Sequence, residues 1–282
     1  MVDMEHLRRW LGRTEETVDV ASSWTQTRLA ALLDHRYPPW PPDQLAPLCH
    51  WLHFAPATLQ SQLGEDGHTQ RGDFLPPVEL PRRMYAGGRL HFVRPIRLGD
   101  SMRRRSTVKA IEAKTGSSGA MVFVTVRHEI STGERIAIEE EQDIVYRSSP
   151  AQGAARSSTE PPGEEPVPDA TRLITVDPTL LFRYSALAFV AHRIHYDYPY
   201  AHQVEGYPGL LVHGPLIATL LLDHFLRRHP AARVGRFEFR SKRPLFAGSN
   251  VEACLRGNAR EAELWARTPT GEAAMLARVE AQ

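Results

Sequence analysis

RYSALAFVAHRIHYDYPYAHQVEGYPGLLVHGPL, residues 183–216, decides how the rest of this chain is read. His192, Arg193, His195, Tyr196 and Asp197 fall within six positions. A Gly- and Pro-rich loop then leads to His213-Gly214-Pro215, where the segment PLIATLLLDHFLRRH (215–229) begins. That segment opens on Pro, runs almost wholly apolar from Leu216 to Leu222, and ends in Arg227, Arg228 and His229 before Pro230. Pro suits the first helical position and cations suit the last turn, so a long, deeply buried helix is expected over 215–229. The start of such a helix presents backbone N–H groups without intrahelical partners, at the positive end of its dipole. Proton-transfer groups next to it suit chemistry in which a carbonyl oxygen gains negative charge.

Composition narrows the setting. The chain has 282 residues, 42% of them hydrophobic, and a formal net charge of +1, which suits one large or two medium globular domains. Near-neutrality gives no ground for expecting a nucleic acid or an anionic membrane surface as partner. The two cysteines, Cys49 and Cys254, are far apart and lack metal-ligand spacing, so a disulfide framework is not expected and a reducing, cytoplasmic setting fits. The opening MVDMEHLRRW lacks the apolar run of a secretory signal, and Leu216–Leu222 is too short to span a bilayer.

Residues 148–170, SSPAQGAARSSTEPPGEEPVPDA, read as a linker rich in Pro, Ser, Gly and Glu. It divides the chain into domains at 1–147 and 171–282. The two halves share a pattern: RLHFVRPIRLGD (89–100) and EFRSKRPLFAGS (238–249) both carry Arg-Pro five residues before Gly, at an offset of 149. Alternating segments follow each copy, STVKAIEAK, MVFVTVRHEIS and IAIEEEQDIVYR in the first half and NVEACLRG, AELWART and AMLARVEAQ in the second. Period-two alternation predicts half-buried antiparallel strands. Helices are expected before them, over Trp24–Leu33 and Leu45–Phe54, and after the Asp177-Pro178 cap. The sum is an α+β chain in which an antiparallel sheet wraps around a helix, twice over.

Those features resemble the hot-dog fold and, in the second half, the MaoC-like, R-specific enoyl-CoA hydratases. Ile194-His195 and Val212-His213-Gly214 match that superfamily's motif. The stretches FRYSALAFVAHRIHYDYPYA, GYPGLLVHGPL and FLPPVELPRRMYAGGRLHF are similar to a two-domain subgroup that includes itaconyl-CoA and mesaconyl-CoA hydratases and mitochondrial hydroxyacyl-thioester dehydratases. The resemblance implies a double hot-dog hydro-lyase whose second domain is catalytic. It implies an acyl-CoA thioester as substrate, with coenzyme A part of that substrate and no cofactor besides. One departure stands out: Val190 occupies the place of the superfamily's catalytic Asp.

From the resemblance, His195 is the expected base that activates water. His192, three residues earlier, and Asp197 are the candidates to replace the lost carboxylate, although the plain reading of Asp197 is a helix cap. Gly214 is the expected oxyanion donor. His213 is expected to pack or hydrogen-bond beside the substrate. Arg193 or Arg183 is expected to pair with the free carboxylate of a dicarboxylic acyl group, because a buried carboxylate needs a cation. Of Arg103, Arg104 and Arg105, alternation puts only some on one face, so solvation is expected. His192 and His195 have the spacing of a metal pair, but no further ligands complete it, and no metal is expected. The expected reaction is hydration of itaconyl-CoA or mesaconyl-CoA to citramalyl-CoA. The alternatives are a dehydratase for fatty acyl thioesters and a non-catalytic acyl-CoA binding protein. Two hot-dog halves can pair internally, which allows a monomer; base rates favour a homodimer.

Overall fold

The computed structural model describes residues 2–116, 119–148 and 166–282. The first half contains α1 (Met4–Arg8), β1 (Thr14–Val20), α2 (Ser23–Leu32) and β2 (Arg82–Phe92), then β3 (Ser101–Gly116), β4 (Gly119–Thr132) and β5 (Arg135–Arg147). The second contains β6 (Ala170–Val176), α3 (Pro178–Ala188), α4 (Gly214–Arg228) and β7 (Val234–Ser241), then β8 (Ser249–Gly257), β9 (Glu261–Arg267) and β10 (Ala273–Ala281). Of the expected linker at 148–170, residues 149–165 lie outside the described set.

All ten strands join one sheet, in the order β1-β3-β4-β5-β2-β7-β10-β9-β8-β6. Counted inward from either edge, each half contributes its first, third, fourth, fifth and second strand, so the topology repeats. The register shows the same symmetry. Arg89 on β2 pairs with Glu238 on β7, its own counterpart (238 − 89 = 149), and Gly88–Phe239 and Leu90–Phe237 flank it. A pseudo-dyad therefore crosses the sheet at Arg89. The close approach there needs small residues. A Cβ on Gly87 would lie 2.5 Å from the Phe239 carbonyl oxygen, and a bulge between Tyr85 and Gly87 absorbs the extra residue. Each half turns after its Arg-Pro pair at a left-handed glycine, Gly99 and Gly248.

The expected helix at 215–229 is present as α4, and every residue from Leu216 to Phe225 is buried. Each of its large apolar side chains contributes about 1.5–3 kcal/mol on burial. It lies in the concave face of the second half of the sheet, packed on β8, β9 and β10. Its one buried acid, Asp223, is compensated by three partners: His35 at 2.6 Å, Arg172 at 2.6 Å and Arg227 at 2.8 Å. His35 comes from the first half, and Arg227 also donates to the Leu33 carbonyl, so α4 is tied to the chain that follows α2.

The first half departs from expectation. The helix expected at 45–54 is a single 3-10 turn, Cys49–Leu52, preceded by Leu48 in the left-handed region. The offset of 149 puts the counterpart of α4 at 65–79, and no helix forms there. Gly67, Gly72, Pro76 and Pro77 fall in that span and cannot sustain one. The concave face of β3, β4 and β5 is thus left without a helix across it. Among the described residues no helix is long and apolar enough to cross a membrane.

Candidate active site

Asp177 caps α3, its carboxylate accepting from the Leu180 N–H at 2.7 Å, with Pro178 at the first helical position. The helix ends at Phe189 in the left-handed conformation, and the chain folds into a short turn at Arg193–His195. The loop before α4 is fastened to that turn: the Leu211 N–H donates to the Ile194 carbonyl at 2.9 Å, and His195 Nδ1 lies 2.7 Å from the Leu211 carbonyl oxygen. A carbonyl can only accept, so Nδ1 carries the hydrogen and Nε2 is the lone-pair nitrogen. The His195 ring stacks on His213 with centroids 3.6 Å apart. His213 in turn bonds Ser185 Oγ through Nε2 at 2.8 Å and immediately precedes Gly214, the first residue of α4. The imidazole and the helix start thus share one cavity wall.

His192 lies on the same wall, its ring at 5.3 Å from His195 and nearly perpendicular to it. The first half completes the group. His68 lies against His192, with ring centroids 3.9 Å apart, and is held by Asp66 through Nδ1 and through its backbone N–H, both at 3.0 Å. The loop bearing this pair is docked by the Arg193 N–H donating to the Asp66 carbonyl at 2.9 Å. Gly67 makes the docking feasible: its φ is +85°, and a Cβ there would fall 1.9 Å from the Ala191 carbonyl oxygen. Sequence reading passed over Asp66 and His68. Their only local signal is the short turn Gly64-Glu65-Asp66-Gly67-His68, which says nothing of a site without His192, the neighbour of His68 124 positions later (192 − 68).

Burial sets the protonation states. His195 is pushed down to about 4 by burial, against a partial opposing effect of the Leu211 carbonyl. Burial likewise lowers His192, His213 and His68. Burial would raise the Asp66 carboxyl, but the hydrogen bonds and charge of His68 outweigh it and hold Asp66 well below the usual range. Near neutral pH the cluster is therefore an ionised Asp66 facing neutral imidazoles, with an unprotonated nitrogen on His195. One ligand atom each of Asp66, His68 and His192 lies within 4.8 Å of the others. Asp66 already holds His68 through both its oxygens.

Three expectations are corrected by placement. Asp197 is not on the cavity wall: one oxygen accepts from Arg193 at 2.8 and 3.0 Å, and the other accepts from the Tyr200 N–H at 3.1 Å, capping the next turn. Arg193 is turned outward by that i,i+4 pair and by the Glu65 carbonyl. Arg183 is exposed, because α3 buries Leu181, Tyr184, Ser185 and Ala188 and leaves 183 off that stripe. Val190 does line the cavity, its N–H bonded to the Ser185 carbonyl at 2.9 Å.

The cavity, about 2220 Å³, extends from this group onto the uncovered face of the first half. That face carries two apolar clusters, one around Val122, Val124 and Ile144 and the other around Met102, Ile130 and Ile138. A polar belt separates them. Glu140 bonds His50 at 3.0 Å, Trp51 Nε1 at 2.9 Å and the Tyr85 hydroxyl at 3.3 Å, while His128 bridges Ser106 Oγ and Gln142. Burial raises Glu140, but His50, His128 and Trp51 overcome it and bring the carboxyl down to about 2. Arg104 also points inward onto this face, against Phe54, while Arg103 and Arg105 are exposed.

Comparison with known proteins agrees with this architecture. Residues 48–247 match the family described as hydroxyacyl-thioester dehydratase type 2. The chain is 46% identical over 273 residues to mesaconyl-C(4)-CoA hydratase of Chloroflexus aurantiacus, covering 96% of each chain. It is 29% identical over 236 residues to the mitochondrial hydroxyacyl-thioester dehydratase type 2 of Schizosaccharomyces pombe, covering 75% of this chain and 77% of that one. The crystal structure of HtdX from Mycobacterium tuberculosis superposes with a TM-score of 0.68 at 20% identity, covering 96% of this chain and all of the other, which is a likeness of fold. With an imidazole and a helix start on one cavity wall of a double hot-dog sheet, these matches show that the chain belongs to the hydroxyacyl-thioester dehydratase type 2 family and is an enzyme of the acyl-CoA hydratase/dehydratase class.

Proposed function

We propose that the enzyme adds water to the double bond of a short, branched dicarboxylic enoyl-CoA of the itaconyl or mesaconyl type, giving citramalyl-CoA. The observation that carries this reading is the lone-pair Nε2 of His195, fixed by the Leu211 carbonyl beside Gly214. His195 takes a proton from water as the oxygen bonds to the β carbon. In mesaconyl-C4-CoA, where the alkene is conjugated to the thioester, its electron pair moves toward the thioester carbonyl, whose oxygen gains charge and is stabilised by the Gly214 N–H at the positive end of α4. Return of a proton to the α carbon completes the addition. In this reading the Asp66–His68 pair, acting beside His192, supplies the anionic partner that Val190 cannot. The basic rim at Arg240, Lys242 and Arg243 suits the phosphates of coenzyme A.

A second reading is dehydration of longer fatty acyl thioesters. The size of the cavity favours it, and so does the outward placement of Arg183 and Arg193. The polar belt weighs against it. An alkyl chain running along the first half would strip water from Arg104, whose Nε has no hydrogen-bond partner, and desolvating a charge that is incompletely hydrogen-bonded is costly. The test is turnover of mesaconyl-C4-CoA and itaconyl-CoA against unbranched 2-enoyl-CoAs of four to twelve carbons. Dominant turnover of the branched dicarboxylates is expected. Equal or better turnover of unbranched chains rejects the dicarboxylate reading.

A further inference from the structure

A dicarboxylic acyl group brings a free carboxylate to within a few bonds of the reacting carbons, and the arginines expected to receive it, Arg183 and Arg193, are not on the cavity wall. The wall carries other guanidinium groups. Arg71 is committed to the carbonyls of Val78, Leu80 and Pro81. Arg104 is on β3, three strands from β2 in the sheet order, and at ~4.8 Å per strand its backbone is about 14 Å from that of β2.

Arg83 is different. It is on β2, two residues before Tyr85 and in regular register with β5, where it faces Tyr146. Residues two apart on a strand share a face and stand about 7 Å apart. Tyr85 is the residue of β2 that abuts the start of α4, its Cβ 3.5 Å from where a Cβ on Gly214 would be. Arg83 therefore faces the same side as Tyr85, one step along the strand, and it lines the cavity together with His68 and His192. It is half-buried and forms no ion pair or side-chain hydrogen bond with a described residue. Its charge is felt by both His68 and His192, where it disfavours the imidazolium form. A guanidinium held over a cavity without a counter-ion is a receptor for a planar anion, because its fork matches a carboxylate.

The geometry points to Arg83 as the group that receives the free carboxylate of the acyl chain and so selects dicarboxylic over monocarboxylic enoyl-CoA. This rests on the substrate reading above. The test is the ratio of kcat/KM for mesaconyl-C4-CoA to that for crotonyl-CoA in the wild type, Arg83→Met and Arg83→Lys. A charged hydrogen-bonded contact of this kind is equivalent to roughly 10- to 100-fold, so the ratio is expected to fall by that factor in Arg83→Met and to recover in part in Arg83→Lys. An unchanged ratio in Arg83→Met overturns the assignment while leaving the substrate reading intact. A wild type that does not prefer the dicarboxylate overturns both. Should Arg83→Met fail to fold, inhibition of crotonyl-CoA hydration by succinyl-CoA relative to butyryl-CoA in the wild type and Arg83→Lys replaces it. Stronger inhibition by succinyl-CoA that weakens in Arg83→Lys supports Arg83, and equal inhibition by the two removes it.

Discussion

His195 shows how little of a residue's chemistry is its type. A solvated imidazole titrates near 6.5; this one is held at about 4 by burial, and its tautomer is set by one carbonyl at 2.7 Å. The base form therefore persists well into acid. Protonation removes the lone pair, so kcat/KM is expected to fall on the acid side only near pH 4 to 5. An acid limb between pH 6 and 7 in a pH–rate profile would remove His195 as the base. His195→Gln retains bulk and a hydrogen-bond donor but cannot accept the proton, and is expected to lower kcat by about 10²- to 10⁴-fold with KM little changed.

At the scale of the element, the loop at 64–69 matters as much as α4. It is placed by Gly67 under the Ala191 carbonyl, and through it Asp66 and His68 reach His192. Gly67→Ala is expected to cost about 1–3 kcal/mol, from a left-handed φ and a direct clash, and to lower turnover by shifting His68. Gly133→Ala is the matched control: its φ is +57° and nothing lies within 4 Å of the new Cβ, so it carries the backbone strain without the clash. Thermal melts and kcat of the two variants separate the effects. Equal kcat losses in both would show that the loop has no bearing on the site.

At the scale of the molecule, burial keeps several histidines neutral. Burial lowers His53, His68, His128, His192, His195 and His213 together. The unfolded chain binds protons at these positions near pH 6.5, whereas the folded chain does not. Their contribution to stability is complete above pH 6.5 and is lost progressively as pH falls below it. His195 alone, moved from 6.5 to about 4, accounts for about 3 kcal/mol across that window. The unfolding midpoint is thus expected to drop steeply between pH 6.5 and 4, above the range of ordinary carboxylates. Glu140, held at about 2, extends the loss further into acid. A melting temperature that stays flat from pH 7 to 5 would contradict the buried, neutral state of the cluster.

Read alone, the sequence determined what depends on local order. Pro215, the apolar run after it and the closing cations specify α4; alternation specifies β3–β5 and β8–β10; the Arg-Pro-Gly offset specifies the duplication. His192, His195, His213 and Gly214 were legible because one short segment and the helix after it carry all four. Asp197, Arg193 and Arg183 were misplaced for the same reason: nearness in sequence does not say which way a side chain turns, and an i,i+4 pair turned two of them outward. The missing helix of the first half follows from its glycines and prolines, but the cavity left in its place does not. Only the folded sheet, by pairing β2 with β7, sets the Asp66–His68 loop against His192 and brings Tyr85 against the start of α4. Those contacts join residues more than a hundred positions apart, and no local periodicity records them.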